Sequence, residues 1–195
     1  MTPLALIRHG PTEWNATRRL QGRADIALSA VGREVVGAWA VPPPFGRYRW
    51  IASPLARCRE TAHALVGAAP ALDDRLAEMD WGEWQGCTLA ELRCELGAAM
   101  VDVEACGLDF RPPGGESPRE VFGRVRPLLV EIAADRTPTV AVTHRGVMRA
   151  IFAVASGWDM TGKPPKKMRD GCLQVFSLDA DGAPRLERLN VALER

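Results

Sequence analysis

Arg8, His9 and Gly10 together could bind and transfer a phosphoryl group. A guanidinium pairs with phosphate oxygens, an imidazole can attack phosphorus, and a glycine lets the backbone approach a ligand closely. The tripeptide follows residues 4–7, an apolar run typical of a buried strand. Because ligands of open α/β sheets bind at the carboxyl ends of the strands, this position predicts an anion site. On its own, so short a motif more often belongs to an ordinary surface loop.

Two further strands are predicted to end beside the first. Residues 49–53 and 139–143 are both predicted to form buried strands, and a cationic or imidazole side chain follows each of them. Ser53 and the proline after it predict a helix that begins at once, which brings Arg57 close to the strand end. His144 directly follows the other strand. Taken alone, Arg57 fits a solvated charge on a helix face better, because most arginines are exposed.

Capping residues and apolar spacing predict the other helices. They indicate helices at residues 29–40 and 88–103, and a third that begins at Ser117. This third helix contains Pro127. Because a proline inside a helix costs roughly 3 kcal/mol, we expect a kink or a break near Arg126.

Three segments are predicted to form the walls of a substrate pocket. They are the long loop at residues 11–26, the tryptophan- and glycine-containing loop at 81–86, and the turn at 111–116. Arg23 in the first of them could hold a second anionic group. A basic loop at residues 163–167 could contact an anionic part of the substrate, although a solvated loop is the favoured interpretation.

Composition and charge restrict the class of protein. The 195 residues fit one domain, and 25 basic and 24 acidic side chains leave a formal charge of +1. This balance argues against a nucleic-acid partner and against an anionic membrane surface. Five cysteines without a C-x-x-C pair predict reduced thiols and a cytoplasmic protein. Neither a targeting segment nor a membrane span is indicated, and the oligomeric state stays open.

These elements predict an α/β fold with three layers. A central, mostly parallel sheet carries helices on both faces, which is the αβα sandwich arrangement. Residues 172–178 and 185–191 predict a terminal β-hairpin. We expect residues 1–195 to form one domain, with the site across the carboxyl ends of the strands that finish at Arg8, Ser53 and Thr143.

Four short motifs make the sequence resemble the histidine phosphatase superfamily, the phosphoglycerate mutase-like group. They are Arg8-His9-Gly10, Ser53-Pro54-Leu55-x-Arg57, Glu78-x-x-x-Gly82 and Thr143-His144. Each motif is weak alone, but the four in this order are specific, and the resemblance extends from Leu4 to about Ala150. Two further segments resemble the small bacterial phosphatases of this group, which include α-ribazole phosphatases. They are Thr12-Glu13-Trp14-Asn15 and Pro113-Gly114-Gly115-Glu116-Ser117.

The resemblance implies a mechanism and a set of site residues. His9 is expected to attack phosphorus and carry a phosphohistidine, while Glu78 protonates the leaving oxygen and then activates water. Cationic side chains are expected to hold the phosphoryl oxygens, so no metal or other cofactor is required. The other expected catalytic residues are Arg8, Arg57 and His144. The expected phosphate- or substrate-binding residues are Gly10, Thr12, Asn15, Arg23 and Arg145.

Hydrolysis of a small phosphorylated metabolite is the leading expectation, and two alternatives stay open. A phosphoglycerate mutase uses the same groups, but it must keep water from the phosphohistidine, which demands extra closing segments. At 195 residues the chain lacks the longer insertions that such mutases usually carry. A non-catalytic phosphate-binding module is the second alternative, although every catalytic position holds a competent residue.

Overall fold

The fold is built on a six-stranded sheet, seen in a computed structural model that describes residues 1–193. In chain order its strands are β1 (Thr2–Arg8), β2 (Arg49–Ala52), β3 (Ala71–Leu72), β4 (Thr139–Thr143), β5 (Cys172–Leu178) and β6 (Pro184–Ala192). Their spatial order is β3-β2-β4-β1-β5-β6. The first four strands in this order are parallel and the last two are antiparallel. The mostly parallel sheet and the terminal hairpin are therefore confirmed.

Helices cover both faces of the sheet and complete the three layers. They are α1 (Glu13–Ala16), α2 (Ala30–Gly37), α3 (Ala56–Val66), α4 (Leu89–Leu96), α5 (Ala98–Ala105), α6 (Pro118–Asp135) and α7 (Arg145–Ser156). Side chains alternate along β1, so Leu4 and Leu6 pack with α6 and α7, whereas Ala5 and Ile7 pack with α3. Burial on both faces explains why residues 4–7 of this strand are apolar without interruption. No helix within the described residues is long and apolar enough to cross a bilayer.

The register of the central strands aligns their carboxyl ends. Arg8 in β1 lies opposite Thr143 in β4, and Ala52 in β2 lies opposite Val142. The residues that directly follow these strands therefore reach one edge of the sheet, and they are His9, Ser53 and His144. Two of them extend the ladder: the backbone N–H groups of His9 and Ser53 donate to the carbonyls of Thr143 and Val142, each at 3.0 Å.

The prediction that Ser53 caps α3 is wrong. The helix begins at Ala56, its N-cap residue is Leu55, and no side chain caps it. Ser53 is fully buried, and its hydroxyl lies 2.8 Å from Nε2 of His144. A serine before a proline can cap a helix or hydrogen-bond to another side chain. Here its hydroxyl hydrogen-bonds to the buried imidazole of His144.

Two other helix predictions also differ from the structure. Residues 88–103 form two helices, α4 and α5, because Gly97 between them has φ 52° and ψ −122°, which glycine adopts readily. The expected break near Arg126 does not occur, and α6 continues through Pro127. Each buried apolar side chain contributes roughly 1.5–3 kcal/mol, and together they outweigh the cost of the proline. Those buried on either side of it are Val121, Val125, Leu128, Leu129 and Ile132.

Candidate active site

One ring nitrogen of His9 forms a hydrogen bond with the backbone. It follows β1 directly and is 5% exposed. Its Nδ1 lies 2.7 Å from the carbonyl oxygen of Gly10. Because a carbonyl can only accept, Nδ1 carries the proton and donates it. The lone pair of the neutral ring therefore lies on Nε2.

The surroundings of His9 keep its imidazole neutral. Burial lowers the pKa of His9 well below its ordinary value, and the positive charges of Arg8 and Arg57 lower it further. A neutral imidazole is the nucleophilic form, because the protonated ring has no free lone pair. Burial and the nearby cations thus prepare His9 for attack near pH 7.

His144 lies beside His9, with their ring centroids 5.2 Å apart. The Nε–H of Arg57 donates to Nδ1 of His144 at 3.2 Å. Nδ1 is thereby the acceptor, so Nε2 carries the proton and donates to the hydroxyl of Ser53 at 2.8 Å. The Sγ atom of Cys58 lies 3.4 Å from the same Nε2. Burial lowers the pKa of His144 well below its ordinary value, and the coulombic effect of His9 adds to this.

Arg57 is fully buried, so its interpretation as a solvated helix charge is wrong. Beyond its bond to His144, the guanidinium donates to the carbonyl oxygens of Ala24 at 2.8 Å and Gly22 at 2.9 Å. Both carbonyls belong to the loop before α2. Arg57 therefore fixes this loop to the edge of the sheet, and burial lowers its pKa.

Gly10 and Thr61 connect the nucleophile to α3. The N–H of Gly10 donates to the hydroxyl of Thr61 at 2.9 Å, and this hydroxyl donates to the carbonyl of Arg57 at 2.7 Å. A Cβ atom on Gly10 would collide with the side chain of Val36 in α2. The glycine therefore permits a close approach of the segment after β1 to helix α2, rather than of the backbone to a ligand.

Thr12 caps the short helix α1, which contains Asn15, so residues 11–26 are not entirely a loop as predicted. The side-chain oxygen of Asn15 accepts from the N–H and the hydroxyl of Thr12, at 3.0 and 3.1 Å. The amide NH2 of Asn15 is then the end that remains to donate. Asn15 lines a cavity of about 260 Å³ together with Arg8 and His9. The hydroxyl of Thr12 is used within the turn, where it positions Asn15.

Glu78 lies in the segment between β3 and α4, beside the first turn of α7, and is 9% exposed. Its Oε1 accepts from the N–H groups of Met79 at 2.8 Å and Gly146 at 3.0 Å. A Cβ atom on Gly146 would collide with this oxygen, so the contact requires a glycine. Arg124 in α6 donates to the backbone carbonyls of Ala77 and Glu78 at 2.8 and 3.2 Å. Both the carboxylate and its backbone are therefore positioned by the protein.

Two predicted binding residues are paired with carboxylates at the surface. Arg145, whose side chain is 53% exposed, donates to Asp170 at 2.7 and 2.9 Å. Arg8 donates to the same carboxylate at 2.8 Å. Arg23, 38% exposed, lies 3.3 Å from Glu116. The structure thus brings Arg8, His9, Arg57 and His144 together, whereas Arg23 and Arg145 belong to the solvent-exposed margin.

The two tryptophans of the predicted pocket wall at residues 81–86 lie in different surroundings. Trp81 lines a cavity of about 360 Å³ that also includes Gly146, and its ring lies 5.7 Å from that of Phe110. Trp84 is instead buried in the core. The turn at residues 111–116 is fixed to the loop at 81–86, since the N–H of Glu83 donates to the carbonyl of Pro113 at 3.0 Å. No group of three or more metal-ligating side chains is found within residues 1–193.

Sequence reasoning missed several residues that organise the site. They are Ser53, Cys58, Thr61, Arg124 and Asp170. Cys58 belongs to the helix predicted after Ser53, but its contact with His144 follows only from the fold. Asp170 is 162 residues from Arg8 in the chain, so no local pattern could connect the two.

The chain belongs to the histidine phosphatase superfamily (branch 1), whose family model matches residues 4–192. A glucosyl-3-phosphoglycerate phosphatase of Mycolicibacterium vanbaalenii is 34% identical over 177 residues, which cover 83% of this chain and 77% of the relative. The structure of a mycobacterial glucosyl-3-phosphoglycerate phosphatase in complex with VO3 matches with a TM-score of 0.78, at 28% identity and full coverage of both chains. The chain is therefore an enzyme of this superfamily, and a phosphatase is better supported than a mutase.

A mutase is also similar to this chain. The 2,3-bisphosphoglycerate-dependent phosphoglycerate mutase of Methylobacterium radiotolerans is 31% identical over 192 residues, which cover 91% of this chain and 90% of the relative. Since nearly all of that mutase aligns here, the expectation that chain length separates the two activities is wrong for this relative.

Proposed function

We propose that this chain hydrolyses a small phosphomonoester through a phosphohistidine at Nε2 of His9. The hydrogen bond from Nδ1 to the Gly10 carbonyl carries this proposal, because it leaves the lone pair on Nε2 of a neutral ring. His9 also lines the cavity that Arg8 and Asn15 share.

Cationic and polar groups around His9 would hold the phosphoryl oxygens. One terminal nitrogen of Arg8 donates to Asp170, while its buried Nε has no hydrogen-bond partner among the described residues. This N–H and the amide of Asn15 are available to phosphoryl oxygens, and Arg57 supplies a buried positive charge beside them. Phosphoryl transfer needs mainly such positioning and charge on the equatorial oxygens, so we propose a metal-independent reaction.

Glu78 is proposed as the general acid and base. Gly146 and Met79 hold Oε1, so Oε2, which has only a 3.3 Å contact with the Gly146 N–H, is the oxygen free to exchange a proton. In the first step Nε2 bonds to phosphorus, the bond to the leaving oxygen breaks, and that oxygen takes the proton from Glu78. In the second step Glu78 takes a proton from water, the water oxygen bonds to phosphorus, and the bond to Nε2 breaks.

The substrate is proposed to be a small phosphorylated metabolite. Relatives named glucosyl-3-phosphoglycerate phosphatase support this size class, and so do cavities of about 260 and 360 Å³ beside His9 and Gly146. We propose a cytoplasmic location, because all five cysteines are free thiols, as a reducing compartment favours. We also propose that residues 1–195 act as one domain.

Phosphate release from p-nitrophenyl phosphate in the presence of a chelator tests this proposal. We expect release in chelator and a loss of roughly a thousandfold or more in His9→Ala. The panel also contains α-ribazole phosphate, sugar phosphates and 3-phosphoglycerate. A folded protein that releases no phosphate from any of them would contradict the proposal.

A mutase is the second candidate, because a named mutase aligns over 90% of its length. It would return the phosphoryl group from His9 to a phosphoglycerate instead of to water. Interconversion of 2- and 3-phosphoglycerate faster than phosphate release would favour the mutase. Phosphate binding without turnover of any compound would instead favour the non-catalytic module.

A further inference from the structure

A basic cleft opens beside the candidate active site. It has a volume of about 350 Å³ and is lined by six cationic side chains and one carboxylate, that of Asp170. The cationic side chains are Arg8, Arg145, Arg149, Lys163, Lys167 and Arg169. The chain as a whole carries a formal charge of only +1, so this cleft is a strong local excess of positive charge. A cleft lined by one sign of charge concentrates ions of the opposite sign.

Within residues 1–193, four of the six cations in this cleft form no ion pair, and Arg149 is the one among these four that is partly buried rather than exposed. Its Nε is buried and has no hydrogen-bond partner, and no carboxylate within residues 1–193 pairs with it. One face of the guanidinium lies over the ring of Trp158, 5.1 Å from its centroid. This stacking satisfies the face but leaves the N–H edge unpaired. Burial lowers the pKa of Arg149, and the charge of Arg145 lowers it further, and no carboxylate within residues 1–193 offsets either effect.

The position of Arg149 connects it to the reaction. It lies in α7, one turn after Arg145 and Gly146, so the side chains of Arg145 and Arg149 are neighbours on one helix face, about 5–6 Å apart at Cβ. Arg149 lines the basic cleft and also the cavity that contains Trp81 and Gly146. A leaving group that extends from His9 past Glu78 and Gly146 would therefore reach its N–H edge.

We infer that the basic cleft, centred on Arg149 and completed by Lys163 and Lys167, binds a second anionic group on the leaving group of the substrate. The inference rests on the proposed hydrolysis and names the substrate class: phosphomonoesters with a carboxylate or a second phosphate a few bonds from the scissile oxygen. Both groups offer the anionic oxygens that guanidinium and ammonium groups bind.

Two matched pairs of substrates test the inference. The first pair is 3-phosphoglycerate and glycerol 3-phosphate, which differ by a carboxylate in place of a hydroxymethyl group. The second pair is propane-1,3-diol bisphosphate and 3-hydroxypropyl phosphate, which differ by a second phosphate. For the wild type we expect a ratio of kcat/KM within at least one pair of roughly 10–100, in favour of the compound with two anionic groups. The pair with the larger ratio identifies the anionic group.

Variants of the cleft residues then test whether the cleft causes this ratio of kcat/KM values. We expect Arg149→Met, which keeps the stem over Trp158, and Lys163→Met to reduce the ratio, the former by roughly tenfold or more. Arg149→Lys should retain most of it. Lys166→Met is the matched control, because Lys166 is exposed in the same loop but outside the lining of the cleft, and its ratio should match the wild type.

Lys163→Met keeps the test decisive if Arg149→Met does not fold, since Lys163 is exposed on a surface loop. A wild-type ratio near one in both pairs overturns the inference, and so does a ratio that neither variant changes. Failure of the proposed hydrolysis gives a different result, namely no His9-dependent phosphate release even from p-nitrophenyl phosphate.

Discussion

The floor and the margin of the site use charged groups in opposite ways. The floor, formed by Ser53, Arg57 and His144, is fully buried. The margin, formed by Arg145 and Asp170, has side chains that are 53% and 55% exposed. In the floor each polar atom is fixed by a neighbour that the fold supplies. In the margin the ion pair is exposed to solvent, where such pairs contribute little to stability.

This difference indicates a division of roles. A buried donor that loses its acceptor costs roughly 1–3 kcal/mol, so the floor tolerates only one arrangement. Exposed ion pairs contribute about 0–1 kcal/mol and can be exchanged for contacts with a substrate. We therefore expect the floor to set the chemistry and the margin to set the preference among substrates. Four substitutions test this division, in order of decreasing effect.

Arg57→Met should have the largest effect. The change removes a buried charge beside His9 and leaves the carbonyls of Gly22 and Ala24 unpaired. We expect kcat/KM on p-nitrophenyl phosphate to fall by roughly a hundredfold to a thousandfold. Chemical denaturation should show a loss of about 1–3 kcal/mol for each carbonyl left unpaired. Arg59→Met, exposed on the same helix, is the control and should stay near the wild type in both measurements.

Ser53→Ala should have an intermediate effect. It removes the acceptor for Nε2–H of His144 and so frees that ring to turn. We expect a decrease in kcat of roughly tenfold to a hundredfold and a stability loss of about 1–2 kcal/mol. Ser156→Ala is the control, because its hydroxyl donates only to a carbonyl of its own helix. Equal activities of the two variants would show that Ser53 does not position His144.

The two buried histidines should make stability depend on pH. Burial lowers the pKa of His9 and His144 in the folded protein, while the unfolded chain has the ordinary value of 6.5. Below pH 6.5 the unfolded state therefore binds more protons, and stability decreases as the pH falls from 6.5 toward the folded values. Each histidine contributes a slope of up to about 1.4 kcal/mol per pH unit.

Denaturant titrations between pH 7.5 and 5 measure this slope. His144→Gln should remove the contribution of one histidine and flatten the dependence. His63→Gln should keep the wild-type slope, because His63 is exposed on the surface of α3. A His144→Gln protein with an unchanged slope would contradict the account of a buried neutral ring.

Arg145→Met should have the smallest effect of the four on stability. The exposed pair with Asp170 contributes at most about 1 kcal/mol, so denaturation should differ from the wild type by no more than that. Asp170 keeps its contact with Arg8 in this variant. A stability loss as large as that of Arg57→Met would remove the distinction between floor and margin.

The sequence predicted the site residues that directly follow the buried strands. The apolar runs before Arg8 and His144 indicated buried parallel strands, and aligned strand ends then bring His9 and His144 to one edge. Arg57 needed the family resemblance, because most arginines are exposed and its sequence position alone favoured a solvated charge. Pro127 was misjudged because packing along α6 outweighs a local cost.

The remaining contacts depend on distances in space that no local pattern contains. Ser53 has the sequence of a helix cap, and only the neighbouring imidazole decides its role. Asp170 bridges Arg8 and Arg145, although neither is near it in the chain. Arg124 in α6 donates to the backbone carbonyl of Glu78, which lies 46 residues away in the chain. Such long-range partners follow from tertiary packing rather than from spacing.

The most direct measurement locates the phosphoryl group on the enzyme. Glu78→Gln, which slows the attack of water, would be mixed with p-nitrophenyl phosphate, quenched in alkali and digested for mass spectrometry with phosphohistidine isomer standards. The hydrogen bond from Nδ1 to Gly10 predicts modification at His9 and on Nε2. Phosphate on Nδ1, on His144, or on no residue while p-nitrophenol is still released would contradict the account.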